Sequence, residues 1–245
     1  RRLDRRPEDH QDRALSRRHA PSPAGIRRAR RLPGELKTYT RAERLTDAAV
    51  HGIGLSLAVL GCGLLAFVAH GRTGPGEAAA LALYGLGLVA MLGCSALYHV
   101  TSDPLRKYRF RRLDHAAIFL MIAGTYTPLL VIGVGSQRAM WLLAFVWLVA
   151  LAGMAIKLLA LRVPEWLSVT LYLALGWAVL AAPGEIMAAL HGRGLALLAA
   201  GGIVYSIGVG FYLWERLRFH TVIWHLLVLL AAGCHFLVVL ELVPA

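Results

Sequence analysis

Residues 78–100 read AAALALYGLGLVAMLGCSALYHV, twenty-three positions without a lysine, arginine, aspartate or glutamate. A hydrocarbon layer about 30 Å thick is crossed by roughly 20 residues of α-helix, so this stretch predicts a membrane span. Working outward, six further apolar stretches of similar length lie near 47–69, 115–134, 139–160, 166–183, 195–214 and 222–242. Lipid cannot satisfy backbone polar groups, so spans of this kind must be helices that bond internally. The expectation is an all-α integral membrane protein, a seven-transmembrane helix bundle. Composition agrees: 58% of the 245 residues are hydrophobic and only 16% are charged, with a mean hydropathy of +0.59, which excludes an ordinary soluble globule. The fifth and sixth spans have the least distinct ends, because Pro183, Gly184, Gly201 and Gly202 interrupt them.

Residues 1–44 differ in kind. They hold thirteen Arg and one Lys against six acids, with Pro7, Pro21, Pro23 and Pro33 scattered among them. Such a segment buries too little apolar surface to offset its ordering entropy, so a disordered basic tail is expected before a transmembrane domain over 45–245. A juxtamembrane tail of this charge suits anionic lipid, and nucleic acid is not expected as a partner. The first span lies too far inward to be a cleaved signal peptide.

Loop charges give an orientation. Counted on alternate sides of the seven spans, Lys and Arg divide 23 against 3, the minority being Arg72, Arg138 and Arg193. Positive residues stay inside, so the N-terminus is expected in the cytoplasm and the C-terminus outside, in a multi-pass bacterial inner-membrane protein. That topology brings several ionisable residues to one depth. Asp47 and His51 open span 1, Ser95 and His99 close span 2, Asp114 and His115 open span 3, and His220 and His225 open span 7. Ser95 and His99 share a helix face at i,i+4, and Glu43, Asp47 and His51 repeat that interval twice. Ionisable groups in lipid are expensive, on the order of 2.5–3.5 kcal/mol each at a helix centre, so a functional role is the default reading. Imidazoles from different helices suit zinc, and Asp114 with Ser95 can hold the water that such a metal acidifies.

At these residues the chain resembles a known family. Ser95-Ala-Leu-Tyr-His99, then Arg112-Leu-Asp114-His115 leading to Ile122-Ala-Gly124-Thr-Tyr-Thr-Pro128, then Ile223-Trp224-His225-Leu-Leu-Val228 look like the bacterial hemolysin III proteins, relatives of the progestin and adipoQ receptors. The resemblance covers roughly residues 43–242. It implies seven spans with the N-terminus inside and zinc held near the cytoplasmic face by three histidines, with lipid-amide hydrolases among the relatives. By motif, His99 and His225 become zinc ligands, Asp114 and Ser95 the catalytic or water-holding pair, and Glu43, Asp47 and His51 supporting residues. Two departures stand out. The family's last motif has histidines four apart, which would align Thr221, whereas His220 lies five before His225 and points about 140° away around the helix. His220 is the expected third ligand, with His235, ten residues or about 15 Å beyond His225, as substitute. Asp47 stands where the family usually has Asn.

Structural readings compete for several positions. His51, His115 and His235 can be hydrogen-bonded packing residues, Asp114 can cap span 3, and Ser95 can be a packing hydroxyl. Pro128 is expected to kink span 3, Trp141, Trp166, Trp214 and Trp224 to anchor span ends at the interface, and the repeated glycines to let helices approach closely. Cys62, Cys94 and Cys234 form no closely spaced pair. The favoured function is a zinc-dependent hydrolase of a lipid-like amide or ester, with membrane lipids as partners and an oligomer possible. A pore-forming, cytolytic protein with a structural metal and a non-enzymatic sensor of membrane state are the alternatives.

Overall fold

A computed structural model describes residues 39–159 and 163–244. Among these there is no strand, and the helices fall where the apolar runs place them. In chain order they are α1 (Arg41–Ala69), α2 (Pro75–Val100), α3 (Pro104–Pro128), α4 (Gln137–Leu158), α5 (Glu165–Gly176), α6 (Pro183–Ala189), α7 (Arg193–Leu213) and α8 (His220–Glu241). Six segments are long and apolar enough to cross a membrane: α1, α2, α3 with its extension to Val134, α4, α7 and α8. Most of the expected basic tail lies outside the described residues, and Arg41–Arg44 form the first turn of α1.

The fifth expected span, 166–183, is not one helix. α5 ends after 12 residues at Gly176, a 3₁₀ turn occupies Ala178–Ala181, and the short α6 follows. The Tyr126 hydroxyl of α3 sits at this break, donating to the Gly176 carbonyl (2.9 Å) and accepting from the Val179 N–H (2.7 Å). Backbone groups freed by a broken helix at membrane depth must find protein partners, and Tyr126 serves one on each side.

α3 also begins eleven residues before the expected span. The Arg-rich stretch 104–114, expected as a loop, is helical, because Asp103 caps it through the Arg106 N–H (2.8 Å) and Pro104 occupies the first turn, where a missing N–H costs nothing. Asp114 therefore sits in the third turn, and the capping role considered for it falls to Asp103. At the other end Pro128 offers no N–H to the Gly124 carbonyl. The helix runs on in wider π-type turns over Leu129–Val134 and closes at Gly135 (φ 66°), whose N–H reaches the Leu130 carbonyl at 2.9 Å. The Thr125 and Thr127 hydroxyls bond back to the Met121 and Ala123 carbonyls (2.8 and 2.7 Å).

Small residues set the helix spacing. α2 and α3 meet backbone to backbone at Gly87 and Gly124: a Cβ on Gly87 would come within 3.1 Å of the Met121 Cα, and one on Gly124 within 3.1 Å of the Leu83 carbonyl oxygen. The Phe119 ring fills the space over Gly153 of α4, and His235 and Trp224 of α8 rest on Gly201 and Gly208 of α7. Trp224 is thus a packing residue, while Trp141, Trp166 and Trp214 are exposed as expected of interfacial anchors. α3 lies between two cores. Tyr84, Leu88, Met91 and Met121 pack with Val228 and Val239 on one side, and Phe119, Tyr126 and Leu130 with Val146 and Ile186 on the other. The outward face of α1, with Ile53, Leu57, Leu60, Leu64 and Phe67, is apolar and exposed, which suits contact with lipid tails.

Candidate metal centre

Four helices deliver ionisable side chains to the end of the bundle where α1 begins. α1 starts in a reciprocal cap: the Glu43 N–H donates to the Thr40 hydroxyl (3.2 Å), and the Thr40 N–H donates to the Glu43 carboxylate (2.8 Å). One and two turns later, on the same face, come Asp47 and His51, both buried. α2 runs back to end at Val100, with Ser95 and His99 in its last turns. α8 starts at His220 and presents His225 in its second turn.

These side chains converge on Asp47. Its Oδ1 lies 2.6 Å from His225 Nδ1, and its Oδ2 lies 2.9 Å from His99 Nδ1 and 3.5 Å from His51 Nε2. An ionised carboxylate can only accept, so the closest imidazole nitrogens donate to it. The rings stand together, with centroid separations of 4.3 Å for His51 and His225, 4.7 Å for His99 and His225, and 5.2 Å for His51 and His99. One donor atom from each of Asp47, His51, His99 and His225 lies within 4.8 Å of all the others, an arrangement that can hold a metal ion. It is the one such group among the described residues. His51 Nε2 is buried and has no hydrogen-bond partner among them. A buried nitrogen lone pair or N–H left unmatched is unfavourable, and a cation bound between the three rings would satisfy it. Three imidazoles and one carboxylate are also the donor chemistry that borderline divalent metals accept. On both counts the residues fit a metal.

The imidazoles brought together differ from the expected ligands at one position, and Asp47, expected in support, joins the group. His99 and His225 are in it, but the third imidazole is His51, which the sequence placed in support. His220 is buried and outside the group, its Nε2 3.3 Å from the Thr221 hydroxyl. Its position five residues before His225 turns it away, as the helical repeat requires. His235 is remote, against Gly201, with Nε2 3.4 Å from the Leu198 carbonyl and the Tyr205 ring 5.6 Å away. The i,i+4 interval from Asp47 was the available signal for His51; a lone histidine in an apolar helix weakened it. Ser95 and Asp114 lie beside the group. The Ser95 hydroxyl lies close enough to the Asp114 carboxyl to interact with it, and that carboxyl is within electrostatic reach of His99 and His51. Glu43 stands one turn outside, joined to the Phe219 backbone N–H at 3.0 Å. His115 contributes only its carbonyl, which accepts from the Tyr172 hydroxyl (2.9 Å).

Comparison with known proteins agrees with this geometry in its extent. The model of the family described as haemolysin-III related matches residues 40–236, from the cap of α1 to the last turns of α8. The chain belongs to the haemolysin-III related family. Hemolysin-3 of Bacillus cereus is 36% identical over 198 residues, 81% of this chain and 90% of that protein. A hemolysin-3 homolog of Bacillus subtilis (strain 168) is 33% identical over 202 residues, covering 82% and 95%. The human monocyte to macrophage differentiation factor is 30% identical over 161 residues, 63% of this chain and 66% of its own length. No solved structure matches the chain. Haemolysin-III membership together with six apolar helices makes this a multi-pass membrane protein.

Proposed function

We propose that this haemolysin-III protein is a zinc-dependent hydrolase of a lipid-like amide or ester, crossing the bacterial inner membrane seven times with its N-terminus in the cytoplasm. The observation that carries the reading is the buried group of Asp47, His51, His99 and His225, with an unmatched nitrogen on His51. The three histidines hold the zinc. When bound, zinc supplies Lewis acidity, which polarises a carbonyl and makes water a stronger acid. Asp47, now the acceptor for two imidazoles, orients their rings. Asp114, backed by the Ser95 hydroxyl, holds and moves a proton beside the group. The seventh crossing is the broken stretch through α5, the 3₁₀ turn and α6, supported by Tyr126. The excess of Lys and Arg on one side then puts the group near the cytoplasmic surface, where ester and amide linkages of lipids lie.

Metal content of purified protein tests the first half. Zinc at about one per chain is expected, and its loss in the His99→Ala, His225→Ala double variant; a metal-free wild type after zinc loading ends the proposal. Product release from lipid amides and esters, lost with Asp114→Asn, tests the second half.

A lytic reading draws support from the name of the Bacillus cereus relative and from the exposed apolar face of α1. Leakage of dye from liposomes that persists in the double histidine variant would favour it, since the metal would then be structural.

A further inference from the structure

Glu43 lies outside the metal-ligating group, yet both of its carboxylate oxygens are engaged. Oε2 accepts from the Thr40 N–H and the Thr40 hydroxyl, each at 2.8 Å. Oε1 accepts from the Phe219 backbone N–H at 3.0 Å, across 176 residues. Phe219 is the only residue other than glycine with a positive φ among the described residues, at φ 59° and ψ 14°. A Cβ is crowded in that left-handed region, so the surroundings must hold the backbone there. Phe219 also immediately precedes His220, the first residue of α8, and its own side chain provides no cap. One carboxylate therefore sits at the N-terminal ends of both α1 and α8, where the helix dipoles favour negative charge.

The consequence concerns rotation. Asp47 is one turn beyond Glu43 on the same face of α1, and His225 is six residues beyond Phe219 on α8. Glu43 to Phe219 and Asp47 to His225 are thus two ties between the same pair of helices. A single tie lets α8 swivel about it; a second tie fixes the rotation. A ring that must meet two other imidazoles depends on that rotation, since one residue of helix turns a side chain by about 100°.

We infer that Glu43 is a positioning residue: by holding the Phe219 N–H in its left-handed turn, it fixes the rotation of α8 and keeps the His225 ring facing Asp47, His51 and His99. The inference rests on the metal-centre reading only for its effect on affinity. The competing view is that Glu43 merely caps α1. Glutamine also serves in such a cap, but the Thr40 and Phe219 N–H groups bond to different carboxylate oxygens, and in glutamine one of those two positions becomes an NH2 group that can only donate.

The experiment compares wild type, Glu43→Gln, Phe219→Gly and Glu43→Gln with Phe219→Gly, all as the full chain in nanodiscs. Hydrogen exchange over residues 216–226 is measured on metal-free protein, and zinc affinity by competition with a chelating dye. Glu43→Gln is expected to raise exchange at the start of α8 about tenfold and to weaken zinc about tenfold, with Tm nearly unchanged. Phe219→Gly alone should bind zinc as wild type, because glycine takes the turn freely and Glu43 still holds its N–H. In the double variant glycine relieves the strained turn and recovers part of the affinity. Exchange and zinc binding both at wild-type levels in Glu43→Gln would overturn the inference, and so would weaker zinc binding with unchanged exchange. Wild type that takes up no zinc would end the metal reading, and the exchange result alone would then decide the role of Glu43.

Discussion

Asp47 and His51 show how much a single residue's role depends on its neighbours. In the sequence they are one turn apart near the start of an apolar run, and either can be packing or function. In the structure the Asp47 carboxylate lies within 3.5 Å of nitrogens from three histidines on α1, α2 and α8. His51 Nε2 is the buried nitrogen of the group without a hydrogen bond among the described residues, so its removal should cost metal binding while leaving the Asp47 bonds to His99 and His225 in place. His51→Ala is expected to weaken zinc by more than about tenfold, whereas His220→Ala should leave it within about threefold of wild type, since His220 stands outside the group. Competition against a chelating dye reads both. Equal losses from the two variants would put the third ligand in doubt.

Among the elements, the broken stretch between α5 and α6 was the hardest to read from sequence. Its hydropathy suits a span, and Pro183 and Gly184 marked an irregularity near its end, but the break begins at Trp177. Nothing local to residues 165–189 identifies Tyr126, fifty residues earlier, as the group that satisfies the freed backbone. Tyr126→Phe would leave the Val179 N–H and the Gly176 carbonyl without that hydroxyl, at a cost of about 1–3 kcal/mol for a buried unsatisfied group. A lowered Tm without a change in metal content per folded chain is the expected outcome. The glycine contacts make a second prediction. An added Cβ at Gly153 collides with the Phe119 ring, so Gly153→Ala should destabilise by about 1–3 kcal/mol through overpacking. Gly63 of α1 faces open space, and Gly63→Ala should be neutral or slightly stabilising. Unfolding of the two variants side by side would separate packing from helix propensity.

For the whole molecule, topology is the property to test. With Cys62, Cys94 and Cys234 replaced by alanine, single cysteines at Arg72 and His191 should react with a membrane-impermeant thiol reagent added outside. Cysteines at Arg109 and Val163 should react only after permeabilisation. Labelling of His191→Cys and Val163→Cys from the same side would mean that the broken stretch does not cross, leaving six spans.

That the chain is helical and lipid-facing follows from its amino acids alone, because unbroken apolar runs of about 20 residues leave the backbone no alternative in a bilayer. Through loop order and the helical repeat the sequence also brought His99, His225, Asp114 and Ser95 to one end of the bundle. It did not decide which third imidazole joins them. That choice was tertiary: capping by Thr40 and Glu43 sets the start of α1, Gly87 and Gly124 bring α2 against α3, and the left-handed turn at Phe219 sets how α8 enters. Side chains from four helices meet only when the helices' separations and rotations are fixed together, and those are properties of packing that no one segment carries.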